Sequence, residues 1–251
     1  MTFFTSASSP LAPERREWIE ARWRFLRREF GDERGRSGAV VVPTEDFFPG
    51  EYRATAAGVR RFLFPRVARF MDLDPGKIRL EFAREGAARR GGTAYFHAGP
   101  SRVSGFYRSG RRPTIALQAA RFDDPAAVVG TLAHELGHVH LLGAGRVTPE
   151  TEDHEPLTDL LTVYFGLGIF RAHCLATSSR SRGWIPERAG LPVQEALYLD
   201  APHFGYAFAL HARHRGEDAS AKWTAYLAPP VRRAFERAAR FLAVGGGAST
   251  A

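Results

Sequence analysis

The sequence predicts a single α+β domain, mainly helical, with a small mixed β-sheet ahead of a helix that carries two histidines. Three observations lead there. Apolar residues recur at helical spacing in several separate stretches. Short alternating runs such as "KIRLEF", "TAYFHA" and "TIALQ" fall between residues 77 and 118. An unbroken helical stretch then opens at Asp124-Pro125.

Taken in order, residues 13–30 read as a helix. Pro13 suits its first turn, Trp18, Phe25, Leu26 and Phe30 are its apolar positions, and Gly31 stops it. "GDERGRSG" reads as a polar loop, Ala39 to Val42 as a short apolar run closed by Pro43, and "PTEDFFPGEY" as a turn-rich connector. Thr55 to Met71 has helical spacing through Val59, Phe62, Leu63, Val67 and Phe70, with a kink or break at Pro65. Lys77 to Phe82 alternates as a strand, "GAARRGG" is a turn, and "TAYFHA" is the next strand. Val103 to Tyr107 and Thr114 to Gln118 are two further strands. Leu157 to Phe170 is apolar enough for a buried helix, with Pro156 in its first turn. A helix runs from about Pro202 to Arg215, and Val231 to Val244 is amphipathic and closes the core through Val231, Phe235, Ala238 and Leu242. Residues 1–244 thus read as one domain, with the chemistry in a core of about 114–215 and a disordered tail over 245–251.

Composition narrows the function. No segment approaches the roughly 18 apolar residues of a membrane helix, and the N-terminus lacks a basic start followed by an apolar block. With Cys174 the only cysteine, internal disulfides and cysteine metal clusters are excluded. The expected location is the cytoplasm. The net charge of +8 permits a nucleic-acid partner. However, Lys77 and Lys222 are the only lysines, and the arginines are dispersed among Glu and Asp. That pattern reads as coding bias rather than as a binding face, so neither a nucleic-acid nor a membrane partner is expected.

The chemistry sits in "AHELGHVHLLG", residues 133–143. Asp124 can cap the helix, Pro125 is tolerated at its first position, and Gly143 is placed to end it. His134 and His138 lie four apart, one turn along the same face, where they can share one ion. Glu135 lies beside that ion, where it can hold a water. This HExxH pattern is the zinc-and-general-base arrangement. Gly137 is unfavourable in a helix interior, which suggests close approach by a neighbouring backbone. His140 is turned away. A catalytic zinc needs a third protein ligand. Glu155 and Asp159, four apart at the start of the next helix, supply a ligand and an acceptor for a histidine N–H. Asp159 and His154 are alternative ligands, and Glu150, Glu152 and Asp153 are further rivals.

"HELGH" followed by Glu-x-x-x-Asp on a second helix resembles the gluzincin group of zinc metallopeptidases, particularly their small minimal-core relatives. The resemblance covers roughly residues 114–170. It implies a zincin-like fold, zinc on His134, His138 and Glu155, Glu135 as general base, and Asp159 behind a ligand histidine. The implied activity is hydrolysis of a peptide or protein substrate by a zinc-activated water. The spacing departs from the family, with only 17 positions from His138 to Glu155 and Pro156 following at once. In such enzymes an edge strand beside the helix pairs with an extended peptide; "TIALQ" is either that strand or an ordinary sheet strand. Tyr206 and His203 are candidates to steady the oxyanion. His211 and His214, near a helix end, suit the dipole there. The competing reading is a non-catalytic zinc protein that binds a partner, with His154 or a carboxylate closing the fourth position.

Overall fold

Helix α1 (Pro13–Phe30) opens the computed structural model, which describes residues 9–48, 53–83, 94–97, 103–119, 122–178 and 199–245. Its buried side is Ile19, Trp23 and Leu26, spaced four and three apart as a helix face requires. Trp18, Phe25 and Phe30 flank that side and are only partly buried. The expected polar loop at 31–38 is instead a short helix, α2 (Asp32–Ser37). Its acids lie in the first turn and its arginines in the last, the order that the helix dipole favours.

Thr55 accepts the N–H of Gly58 and starts α3 (Ala56–Gly58). A π-helical turn, Val59–Leu63, joins it to α4 (Phe64–Phe70). Pro65, which has no N–H to give, is the second residue past that wider turn, and this is the expected irregularity.

Four strands follow: β1 (Arg79–Ala83), β2 (Ala94–His97), β3 (Val103–Arg108) and β4 (Thr114–Ala119). They pair in the order β1-β4-β3-β2, with β1 parallel to β4 and the other pairs antiparallel. The sheet is small and mixed, as expected. The expected turn "GAARRGG" lies outside the described residues. One reading is corrected here: "TIALQ" is not an edge strand. β4 is paired with β1 on one side and β3 on the other, so its backbone groups have no room for a peptide.

Helix α5 (Pro125–His138) packs on β3, and its buried residues run without interruption from Ala127 to His138. After it come α6 (His154–Tyr164) and α7 (Gly168–Ser178). The expected single helix through Phe170 is therefore two. Gly166 breaks it with a φ of 82°, and a Cβ there would lie 2.1 Å from the Ala39 carbonyl oxygen. The Val41 N–H donates to the Gly166 carbonyl at 2.9 Å, so the 39–42 run ties down the break. α7 turns back against α5, and buried Cys174 approaches the Ala127 carbonyl.

Asp200 caps α8 (Ala201–His214) through the His203 N–H, and α8 packs along α9 (Pro229–Gly245). Val231, Phe235, Ala238 and Leu242 are all buried, as the amphipathic pattern predicts. The tail beyond 245 lies outside the described residues. No helix among the described residues is long and apolar enough to cross a membrane.

The histidines at the end of α8 do something other than serve its dipole. The His211 ring donates Nε2–H to the Gly35 carbonyl at 3.1 Å, and His214 Nε2 lies 3.0 Å from Asp32 Oδ1. Both tie α8 to α2. Burial, aided by the Arg215 charge, pushes His211 down to about 3 from its ordinary 6.5. Between those values the unfolded chain binds a proton that the native protein refuses, so acid withdraws stability there. His211→Gln should narrow the gap in unfolding free energy to wild type by about 1 kcal/mol per pH unit below pH 6, read by urea titration. A gap that stays constant down to pH 4 would show that the imidazole protonates in place.

Candidate metal centre

The Asp124 carboxylate accepts the Ala127 N–H at 2.9 Å, and Pro125 occupies the first turn of α5. From that start the helix carries His134 and His138 to its inner end. Their rings meet edge to face with centroids 4.8 Å apart. A π-helical turn, Val139–Gly143, begins directly after His138. It sends His140 elsewhere: its Nε2–H donates to the Met71 carbonyl at 2.6 Å. Gly137 admits α6, but through a side chain rather than backbone, since a Cβ there would lie 2.7 Å from Thr158 Cγ2.

Helix α6 brings Glu155 to the pair. Glu155 Oε2 is 3.1 Å from His134 Nε2 and 3.6 Å from His138 Nε2. Donors about 2.0–2.1 Å from a tetrahedral ion are separated by about 3.3 Å, so these spacings suit one. One ligand atom from each of His134, His138 and Glu155 lies within 4.8 Å of the others, and all three residues are buried. Such a group could hold a metal ion.

The other ring nitrogens are oriented from behind. Asp159 Oδ1 accepts His134 Nδ1–H at 2.8 Å. Thr158 Oγ1 donates to the His154 carbonyl and lies 3.4 Å from His138 Nδ1, so it is placed to accept from that ring. Both contacts favour the tautomer with the proton on Nδ1, in which the Nε2 lone pairs are turned toward Glu155. Besides His134, two further donors hold Asp159: Arg171 Nε donates to Oδ1 at 2.6 Å, and the Leu199 N–H donates to Oδ2 at 3.1 Å. Burial pushes the Asp159 carboxyl up, but the Arg171 charge and the His134 hydrogen bond prevail and hold it below the usual carboxylate range.

The buried carboxylates of this group call for a countercharge. Glu135, Glu155 and Asp159 contribute three negative charges and Arg171 one positive, leaving two to neutralise beside neutral imidazoles. Without a cation, protons fill that role. Burial, reinforced by Glu155, raises Glu135 to about 8. His134 is pushed down by burial and by Arg171, but its bonds to Asp159 and Glu155 carry it up to about 9. Glu135 Oε2 is buried with no hydrogen-bond partner among the described residues. A buried carboxylate oxygen left that way, within reach of the Glu155 and His134 charges, fits a polar site that has room for a further group.

Among the rivals, Asp153 is taken by Trp18 Nε1 and by a two-pronged contact from Arg22, which pins the start of α6 to α1. Glu150 and Glu152 are exposed. His154 stays near, with Nδ1 3.0 Å from Glu155 Oε1. Tyr206 and His203 are not brought to the group. The Tyr206 hydroxyl donates to Glu20 of α1 at 2.5 Å, and His203 Nδ1 lies 2.5 Å from Asp200 at the start of its own helix. Three residues near the group escape a reading of motifs: Arg171, Thr158 and Gly105. The one available signal was a glycine inside a strand pattern, which marks close approach.

Gly105 of β3 faces Glu135. A Cβ there would lie 2.6 Å from both Cγ and Oε1 of Glu135, so swinging the carboxylate aside would not clear the clash. No family model, curated protein or solved structure matches the chain. Gly105→Ala should destabilise the protein by about 1–3 kcal/mol by overpacking. In a Glu135→Ala background most of that cost should vanish in urea unfolding. An equal cost in both backgrounds would show that the two residues do not meet.

Proposed function

We propose that this chain is a zinc-dependent metallopeptidase of gluzincin type on a zincin-like scaffold. The observation that carries the reading is the buried convergence of His134, His138 and Glu155, with Glu135 buried within reach of the His134 and Glu155 charges and its Oε2 without a hydrogen-bond partner among the described residues. His134, His138 and Glu155 would hold the ion. Zinc, when bound, supplies a Lewis acid that eases deprotonation of water and polarises a carbonyl. Glu135 takes the proton from the attacking water and hands it to the departing amine. The burial that raises Glu135 suits a group that must both accept and release a proton near neutral pH. Asp159 and Thr158 keep the two imidazoles turned toward the ion.

The proposed substrate is a peptide or protein met in the cytoplasm. Several arginines that could form a nucleic-acid surface are instead matched to carboxylates, as in Arg22–Asp153, Arg27–Asp32 and Arg215–Glu217. A second reading, a metal held for structure alone, draws support from burial: Glu135, His134, His138 and Glu155 are each at most 3% exposed.

One comparison separates the two. Wild type and Glu135→Gln should both purify with near-stoichiometric zinc, while hydrolysis of unfolded casein falls by about 10²–10⁴-fold in the variant alone. Zinc in both proteins with no hydrolysis in either favours the structural metal. Absence of metal from wild type overturns the site altogether.

A further inference from the structure

Arg171 is a cation buried to 6% exposure in an otherwise apolar stretch of α7. Its Nε–H is directed at Asp159 Oδ1, the same oxygen that accepts His134 Nδ1–H. The opposite oxygen, Oδ2, accepts the Leu199 N–H. A carboxylate anchored at both ends cannot rotate, and a fixed Oδ1 fixes the plane of the His134 ring.

We propose that Arg171 is a positioning residue for the metal centre, clamping Asp159 so that His134 presents Nε2 toward Glu155 and the ion. This rests on the metallopeptidase reading above. The role is geometric, because the Arg171 charge acts in two opposed ways: it keeps Asp159 ionised, yet a positive charge two contacts behind the ion repels it.

Two substitutions separate geometry from charge. Glutamine places its amide nitrogen the same number of bonds from Cα as arginine Nε, so Arg171→Gln keeps a donor for Oδ1 and loses the charge. Lysine carries its ammonium one bond further out, so Arg171→Lys keeps the charge and misplaces the donor. Zinc affinity is measured by chelator competition on the full chain, with folding checked by circular dichroism. Arg171→Lys should bind zinc about tenfold more weakly than wild type, and Arg171→Gln within about threefold of it, the low end of what a lost supporting contact costs. The second readout is the His134 Nδ1–H proton in the metal-free protein. It should appear downfield and protected from exchange in wild type and Arg171→Gln, and be lost in Arg171→Lys.

The reverse order of affinities would make Arg171 a charge and not a clamp. Equal affinities in all three proteins, whatever their stabilities, would reduce it to a structural ion pair. If wild type binds no zinc, the metallopeptidase reading falls, and the Nδ1–H signal decides the role of Arg171 by itself. A protected signal in all three proteins would overturn the clamp.

Discussion

Carboxylates do not remain ionised in a protein interior unless something answers their charge, and here three of them share one. Glu135, Glu155 and Asp159 are each at most 3% exposed. An uncompensated buried ion costs several kcal/mol even after the protein relaxes. Two helices therefore meet face to face with matched spacings: imidazoles four apart on α5, carboxylates four apart on α6. Each histidine finds an oxygen, Asp159 finds Arg171, and the remaining negative charge converges on one small space. Around this group the packing is apolar, with Leu132, Leu136, Leu157, Leu160 and Leu161 fully buried. The polar cluster is thus the feature that sets how α5 and α6 are aligned, since apolar contacts alone tolerate small slips that these charges do not.

What could be read from the sequence was what local chemistry decides. The capped start of α5, the pairing of His134 with His138, and the Glu155–Asp159 spacing are all properties of single helices. The amphipathic α9 was equally legible, because its period needs no partner to be visible. The failures share a cause: they depend on what a residue meets far along the chain. The α2 segment looks like a loop by composition, yet His211 and His214 from α8 hold it. Tyr206 has the right chemistry for an oxyanion donor, but its helix turns it toward Glu20 of α1.

The sheet shows the same limit in a way that bears on the site. β4 immediately precedes α5 in sequence, which makes it the obvious neighbour of the histidine helix. In space β4 is inserted between β1 and β3, and β3 lies closest to α5. Gly105 and Tyr107 alternate onto that face, the first against Glu135 and the second stacked on His138 with centroids 6.0 Å apart. The strand that shapes the site is one hairpin earlier than chain order suggests.

The break at Gly166 ties fold to chemistry most directly. Arg171 and Asp159 are twelve residues apart. Had one helix continued through Arg171, those residues would stand about 18 Å apart along its axis, beyond the reach of any side chain. The positive φ at Gly166 ends α6, and the Ala39 carbonyl leaves no room there for a side chain. The chain can then fold back as α7, and Arg171 returns to Asp159 from the other side. A glycine remote from the histidines thus decides whether His134 has its support, and the misjudged helix boundary and the unforeseen arginine are two consequences of that one residue.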